Sequence, residues 1–278
     1  MGLKSNIKNL IKMTREKQLV PVEHVIDKDK MLKDKVAVII GGSGGIGLAI
    51  ARSFVESGCK IILCGTNENK LGKCLENFSD KENVKTMVFN IADAKSMRDN
   101  VEKAVQLFGK VDIVVNSAGV HTENVSFGTM TPEEFDRVMS INLRGPFFIC
   151  QAFAEYMVKV KSSDRRHILL VSSSRGSEPA WSPYGISKWA LNGLTKGLAQ
   201  TLLPHGIIVN AIAPGSTATE LIGVKEGDSI TTGENRVGRL AMPDEVANLA
   251  KLLVSSAGDM IVGETVHISG GRGVIDIR

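Results

Sequence analysis

Three side chains between residues 171 and 203 have the types and spacing to move a proton: Ser173, Tyr184 and Lys188. Tyr184 and Lys188 are four apart, so on a helix they share one face. A free phenol, with a pKa of about 10, is a poor acid or base near neutrality. Lowering that value to about 7 takes about 4 kcal/mol of preferential stabilisation of the phenolate, and an ammonium about 4 Å away in a partly buried site supplies a Coulomb energy of that size. With Ser173 hydrogen-bonded to the same substrate oxygen, the trio can pass a proton to or from a carbonyl while another agent carries a hydride. The Tyr-x-x-x-Lys spacing alone also occurs on ordinary exposed helices.

The elements that must position this trio are legible around it. Ser182 is an N-cap and Pro183 a first helical residue, after which Leu191, Leu194, Leu198 and Leu202 recur at helical spacing until Pro204. The apolar run 167–171 before it reads as a strand that ends in serines. A second candidate site begins at the apolar, β-branched run 36–40, which reads as a strand covered on both faces. Gly41-Gly42-Ser43-Gly44-Gly45-Ile46-Gly47 follows at once and opens a helical pattern that ends at Gly58. In that context glycines let the backbone approach a pyrophosphate, which rests on the positive end of the helix. No Gly-Lys-Ser/Thr ending follows, which argues against a nucleoside triphosphate loop. A plain tight turn between strand and helix would also use glycines.

The same alternation runs through the chain. Strands are predicted at 61–64, 84–89, 111–115, 207–211 and 265–268, and helices at 68–78, 95–108, 132–160 and 243–255. Seven strands at this spacing imply right-handed β-α-β crossovers and an α/β fold with helices on both faces of a parallel sheet. Ligands bind beyond the carboxyl ends of such strands. Gly41, Asn116, Ser173 and Pro214 all stand at those ends.

Hydrophobic residues make up 43% of the chain and charged residues 23%, which suits an ordinary globular domain rather than a disordered or membrane-spanning one. Cys59, Cys64, Cys74 and Cys150 show no metal-ligand spacing, so no metal is expected and they read as reduced core thiols of a cytoplasmic protein. Residues 1–33 differ from the rest: they hold 8 Lys/Arg and 4 Asp/Glu, while residues 34–278 hold 26 of each sign. Leu3, Ile7, Leu10 and Ile11 share a helical face among Lys4, Lys8, Lys12, Arg15 and Lys17. Such an extension can lie on an anionic membrane surface or pack on its own fold. The chain therefore divides into a basic extension, 1–33, and a dinucleotide-binding catalytic domain, 34–278.

Taken together in order, the motifs resemble the short-chain dehydrogenase/reductase family over about residues 35–273, in particular its members similar to 3-oxoacyl carrier-protein reductases. They are Gly41-x-x-x-Gly45-x-Gly47, Asn116-Ser117-Ala118-Gly119, Asn142 in I-N-L-R-G-P-F, Ser173, Tyr184-x-x-x-Lys188, Pro214-Gly215 through Thr219, and Gly270-Gly271. The resemblance implies a single-domain, doubly wound parallel sheet, a Rossmann fold, and an NAD(P)-dependent oxidoreductase that interconverts a secondary alcohol and a ketone. It makes Tyr184 the acid/base, Lys188 its activator and a ribose ligand, Ser173 the substrate-orienting hydroxyl, and Asn142 the holder of a relay water. It assigns cofactor contacts to Gly41, Ser43, Gly44, Gly45, Ile46, Gly47, Thr66, Asn67, Asn90, Ile91, Asn116, Ala118, Gly119, Pro214, Gly215, Thr217 and Thr219, with Tyr184 and Lys188. Ile40 and Ser117 depart from the threonine and asparagine usual at those positions.

Cys64-Gly65-Thr66-Asn67 offers no acid to grip a ribose 2′-hydroxyl, which favours NADP(H) over NAD(H), with Lys70 as the nearest base for a 2′-phosphate. The expected partners are a small-molecule or carrier-bound carbonyl or alcohol and further copies of the chain, in a homodimer or, by preference, a homotetramer, with no nucleic acid. A cytoplasmic location is expected, with membrane-peripheral placement open through the extension. The polar segment 219–239 is expected to cover the substrate, and His121, Arg144, Arg175 and Trp181 near the mouth to serve structure rather than substrate. The competing function, a silent dinucleotide sensor or scaffold, would dispense with Tyr184 or Lys188.

Overall fold

The computed structural model of the protein describes residues 30–160, 162, 164–225 and 227–276. Seven parallel strands form one sheet: β1 (Val36–Ile40), β2 (Lys60–Gly65), β3 (Val84–Val88), β4 (Ile113–Asn116), β5 (Arg166–Val171), β6 (Ile207–Pro214) and β7 (Thr265–Ile268). Their order is β3-β2-β1-β4-β5-β6-β7, so the winding reverses between β1 and β4. Helices α1 (Gly45–Glu56), α2 (Glu68–Leu75), α3 (Met97–Phe108), α4 (Pro132–Met139), α5 (Gly145–Lys159), α6 (Pro183–Leu202) and α7 (Pro243–Leu253) connect the strands.

The period-two rule of a strand sorts the apolar side chains into two cores. From β1, Val36, Val38 and Ile40 enter the core under α3, α5 and α6, where Val101, Phe153 and Leu191 meet them. Ala37 and Ile39 enter the opposite core with Ile50 and Phe54 of α1 and Val246 of α7. Every β1 residue is buried, which is why the run carries no polar alternation. Leu32 is only 1% exposed and belongs to the second core, so the packed domain reaches back at least to that residue. The basic face assigned to residues 4–17 lies outside the described residues.

Three expected elements differ. The helix expected over 68–78 ends at Leu75, where Glu76, Asn77 and Phe78 donate back to Lys73, Cys74 and Leu75 in tightening turns. The sixth strand extends past Ala211 to Pro214, paired with β7. The helix expected from 132 to 160 is interrupted by a π-helical turn, Ser140–Arg144, between α4 and α5. The apolar period runs through that turn without a break, so the sequence pattern does not reveal it. Among the described residues, no helix is long and apolar enough to cross a membrane.

Candidate functional site

A cleft of about 920 Å³ opens over the carboxyl ends of β1 and β4, where the winding reverses. The glycine turn closes one end. Gly41 has φ +78° and passes so close to the next connection that a Cβ there would lie 2.6 Å from the Ala118 nitrogen. A Cβ on Gly47 would collide with the Gly41 carbonyl. The turn delivers the chain into α1, whose first turn carries no acidic residue to offset its positive end. Gly41, Ser43, Gly44, Gly45 and Ile46 line the cleft, as do Thr66, Asn90, Ile91, Ala118 and Gly119. From the other connections come Ser173, Tyr184, Lys188, Pro214, Gly215, Thr217 and Thr219.

Four of the expected residues stand behind this lining. Gly47 supports the turn. Asn67 does not face the cleft, because its Oδ1 accepts from the Lys70 nitrogen at 2.9 Å and caps α2. Asn116 is 1% exposed at the end of β4, and its Oδ1 has no hydrogen-bond partner among the described residues. Asn142 sits on the π-helical turn and clamps the backbone of Val120, accepting from its nitrogen and donating to its oxygen, both at 2.9 Å. The amide also donates to Ser187 Oγ at 3.3 Å. Widening the helix by one residue at this point aims Asn142 at the β4 connection rather than along the helix.

At the other end, Ser182 accepts from the Gly185 nitrogen at 3.2 Å and fixes the first turn of α6, with Pro183 at its start. Tyr184 and Lys188 therefore face the end of β5 together. The Tyr184 and Ser173 side chains both line this end of the cleft. Lys188 Nζ donates to the Val171 carbonyl at 2.9 Å and stands 5.7 Å from the centre of the Tyr184 ring. Burial pushes this ammonium down to about 8. Burial also pushes the Tyr184 phenol above its usual value, against the lowering effects of the Ser173 hydrogen bond and the Arg175 and Arg272 charges. The expectation that Lys188 alone brings the phenol to about 7 is corrected here: both groups are desolvated, and desolvation is the largest influence on each.

The matching family model, described as short chain dehydrogenase, covers residues 35–228. The chain belongs to the short chain dehydrogenase family. It is 32% identical over 248 residues to a 3alpha-hydroxysteroid dehydrogenase of Mediterraneibacter gnavus, covering 86% of this chain and 97% of the relative. It is 35% identical over 245 residues to the 3-oxoacyl-(acyl-carrier-protein) reductase of Rickettsia felis, again covering 86% and 97%. A crystal structure of a 3-ketoacyl-(acyl-carrier-protein) reductase from Brucella melitensis, complexed with NADH, superposes with a TM-score of 0.76 at 30% identity, covering 87% of this chain and all of the other. Membership makes the protein an oxidoreductase of a family that uses NAD(H) or NADP(H). The glycine cradle, closed to a Cβ at Gly41, Gly45 and Gly47 and set under a helix N-terminus, fits such a dinucleotide.

Several lining residues of this short chain dehydrogenase were not assigned to the site by sequence. His121, Arg175 and Trp181, expected to be structural, all line the cleft, whereas Arg144 does not and instead lies over the Phe148 ring at 5.7 Å. Arg272, beyond β7, binds Glu178 at 2.8 Å and also pairs with Glu234, which accepts from Ser216. One guanidinium thus ties together the connections after β5, β6 and β7. Its only sequence signal is a cation placed directly after Gly270-Gly271. Lys70 also lines the cleft. Among the described residues no group of three or more His, Cys, Asp or Glu gathers to hold a metal ion.

Proposed function

We propose that this chain interconverts a secondary alcohol and a ketone, with Tyr184 passing the proton and NADP(H) preferred to NAD(H). The observation that carries the reading is one cleft with the glycine cradle at one end and the Ser173–Tyr184–Lys188 cluster at the other. When bound, the nicotinamide cofactor supplies or accepts the hydride. Ser173 orients the substrate oxygen, and the protonated Tyr184 donates to it in the direction of reduction. Lys188 holds positive charge beneath the phenol, and Asn142 holds the Val120 connection against the site. A silent dinucleotide sensor on this fold has no need of a serine, a tyrosine and a lysine gathered at the substrate end.

The preference for NADP(H) is supported by the absence of an acid at 64–67 and by Lys70 at the cleft wall. Fluorescence titration of the purified protein tests it: NADPH should bind more tightly than NADH, and Lys70→Ala should shrink the difference. The relatives act, by their names, on hydroxysteroids, carrier-bound 3-oxoacyl groups and acetoacetyl-CoA. Those three classes form the first panel for NAD(P)H-linked turnover, and no turnover on any ketone or alcohol would remove the enzymatic reading. A homotetramer is the proposed assembly, supported by exposed Phe135, Phe147 and Val158 on α4 and α5 and Trp189 on α6. A monomer mass by light scattering would refute it. For the basic extension we propose an anionic-surface role, tested by salt-sensitive vesicle binding that is lost on removing residues 1–29.

A further inference from the structure

His121 lies in the connection after β4, and three ties fix that connection. Asn142 clamps the backbone of Val120 on both sides. Arg137 Nη2 donates to the His121 carbonyl at 2.8 Å, and the same guanidinium is held by Glu134. The Tyr184 nitrogen donates to Thr122 Oγ1 at 3.3 Å. Held in this way, the imidazole stacks on the Tyr184 ring with centroids 4.3 Å apart and planes inclined by 31°. Lys188 Nζ also stands near that ring, 5.7 Å from its centre. His121 lines the cleft, so one of its edges is open to whatever the cleft receives.

We infer that His121 is a positioning residue for Tyr184, holding the phenol ring in register with Ser173 through its uncharged imidazole face. The inference rests on the proposed role of Tyr184 and gives a specific task to a residue that the sequence marked only as structural. A ring free to swing about its side-chain torsions would present its hydroxyl to Ser173 only part of the time. An aromatic face at stacking distance removes that freedom. Burial first, and then the nearby cations, favour the neutral imidazole. Burial, Lys188 of α6 and Arg175 of the β5 connection lower its pKa, while Glu123 on its own connection raises it. Protonation would set a further cation beside Lys188 and Arg175 and loosen the stack.

The chain contains two tyrosines, Tyr156 and Tyr184, so ring-labelled tyrosine gives two NMR signals that Tyr156→Phe assigns. In the full-length protein the Tyr184 signal should show an inflection below the ordinary histidine range, absent in His121→Phe and His121→Ala. With any ketone that the unsubstituted protein reduces, His121→Ala should lower kcat about tenfold or more, while His121→Phe, which keeps an aromatic face, restores most of it and loses the acidic limb of the pH profile. A Tyr184 signal that ignores pH in this range, or equal losses in the alanine and phenylalanine variants, overturns the inference. Full activity in Tyr184→Phe would instead bring down the underlying mechanism, and the NMR result would stand apart from it.

Discussion

The side chains at the substrate end carry conflicting demands. Tyr184→Phe preserves the ring on which His121 stacks and removes the proton. Turnover should fall by about 100-fold or more, the usual worth of a positioned acid, with cofactor affinity measured by titration nearly unchanged. Lys188 is held down to about 8, compared with about 10.4 for a free lysine. Between those values the unfolded chain binds the proton more readily than the folded one. The stability cost is therefore fully present below about pH 8 and fades as pH rises toward 10.4. Replacing this ammonium with a methionine should stabilise the cofactor-free protein at pH 7 by about 3 kcal/mol at most, a rise of several degrees in Tm, while abolishing turnover. A lower Tm for Lys188→Met would show that the hydrogen bond to Val171 outweighs desolvation. These residues were legible because Tyr-x-x-x-Lys, its cap and its proline fall within one local run. Arg272 and Glu178 were not, since 94 residues separate them and only the packed fold brings them together.

Among the elements, the glycine turn is the most sharply constrained. Gly41 combines φ +78° with an Ala118 backbone that leaves no room for a methyl group. Gly41→Ala should cost about 1–2 kcal/mol for the left-handed backbone alone, and more for the displaced β4 connection. Loss of dinucleotide binding should exceed loss of stability, because the displaced backbone is the cleft wall itself. Retained affinity by titration would show that the turn adapts. Strand-glycine-helix order made this element readable from sequence. The π-helical turn was not readable, because buried apolar residues continue at helical spacing on both sides of it, Val138 before and Ile149 and Phe153 after, and only the Val120 clamp reveals what the extra residue achieves. The early stop of α2 was likewise invisible, since Phe78 continues the apolar stripe but is buried beyond the last helical turn.

For the molecule as a whole, a parallel sheet with helices on both faces followed from alternation, since buried parallel strands must be apolar throughout, whereas the order of the strands came only from the fold. Charge at the opposite, amino edge of the sheet could not be foreseen. There His167 is buried on β5, pushed down to about 4 by desolvation and by Lys35 and Arg165, even with Asp259 at 3.6 Å. Its free value is about 6.5, so the unfolded chain takes up the proton first as pH falls. Stability should be unaffected by this group above about pH 6.5 and fall by about 3 kcal/mol as pH drops to 4. In His167→Gln, the difference in urea midpoint between pH 7 and pH 4.5 should shrink. An unchanged difference would assign acid sensitivity to other groups.

The reversal of winding also bears on how the chain reaches its native state. Strands β1 to β3 are neighbours in both sequence and space, and so are β4 to β7, whereas the β1–β4 seam joins segments 76 residues apart. Closing that loop is the costliest pairing in entropy, so the two sheet halves should assemble before the seam zips. The cleft straddles the seam. In a refolding experiment, dinucleotide binding should thus reappear with the slowest phase rather than with the early gain of helix, and amide exchange at Val38 and Ile40 should report the same late event.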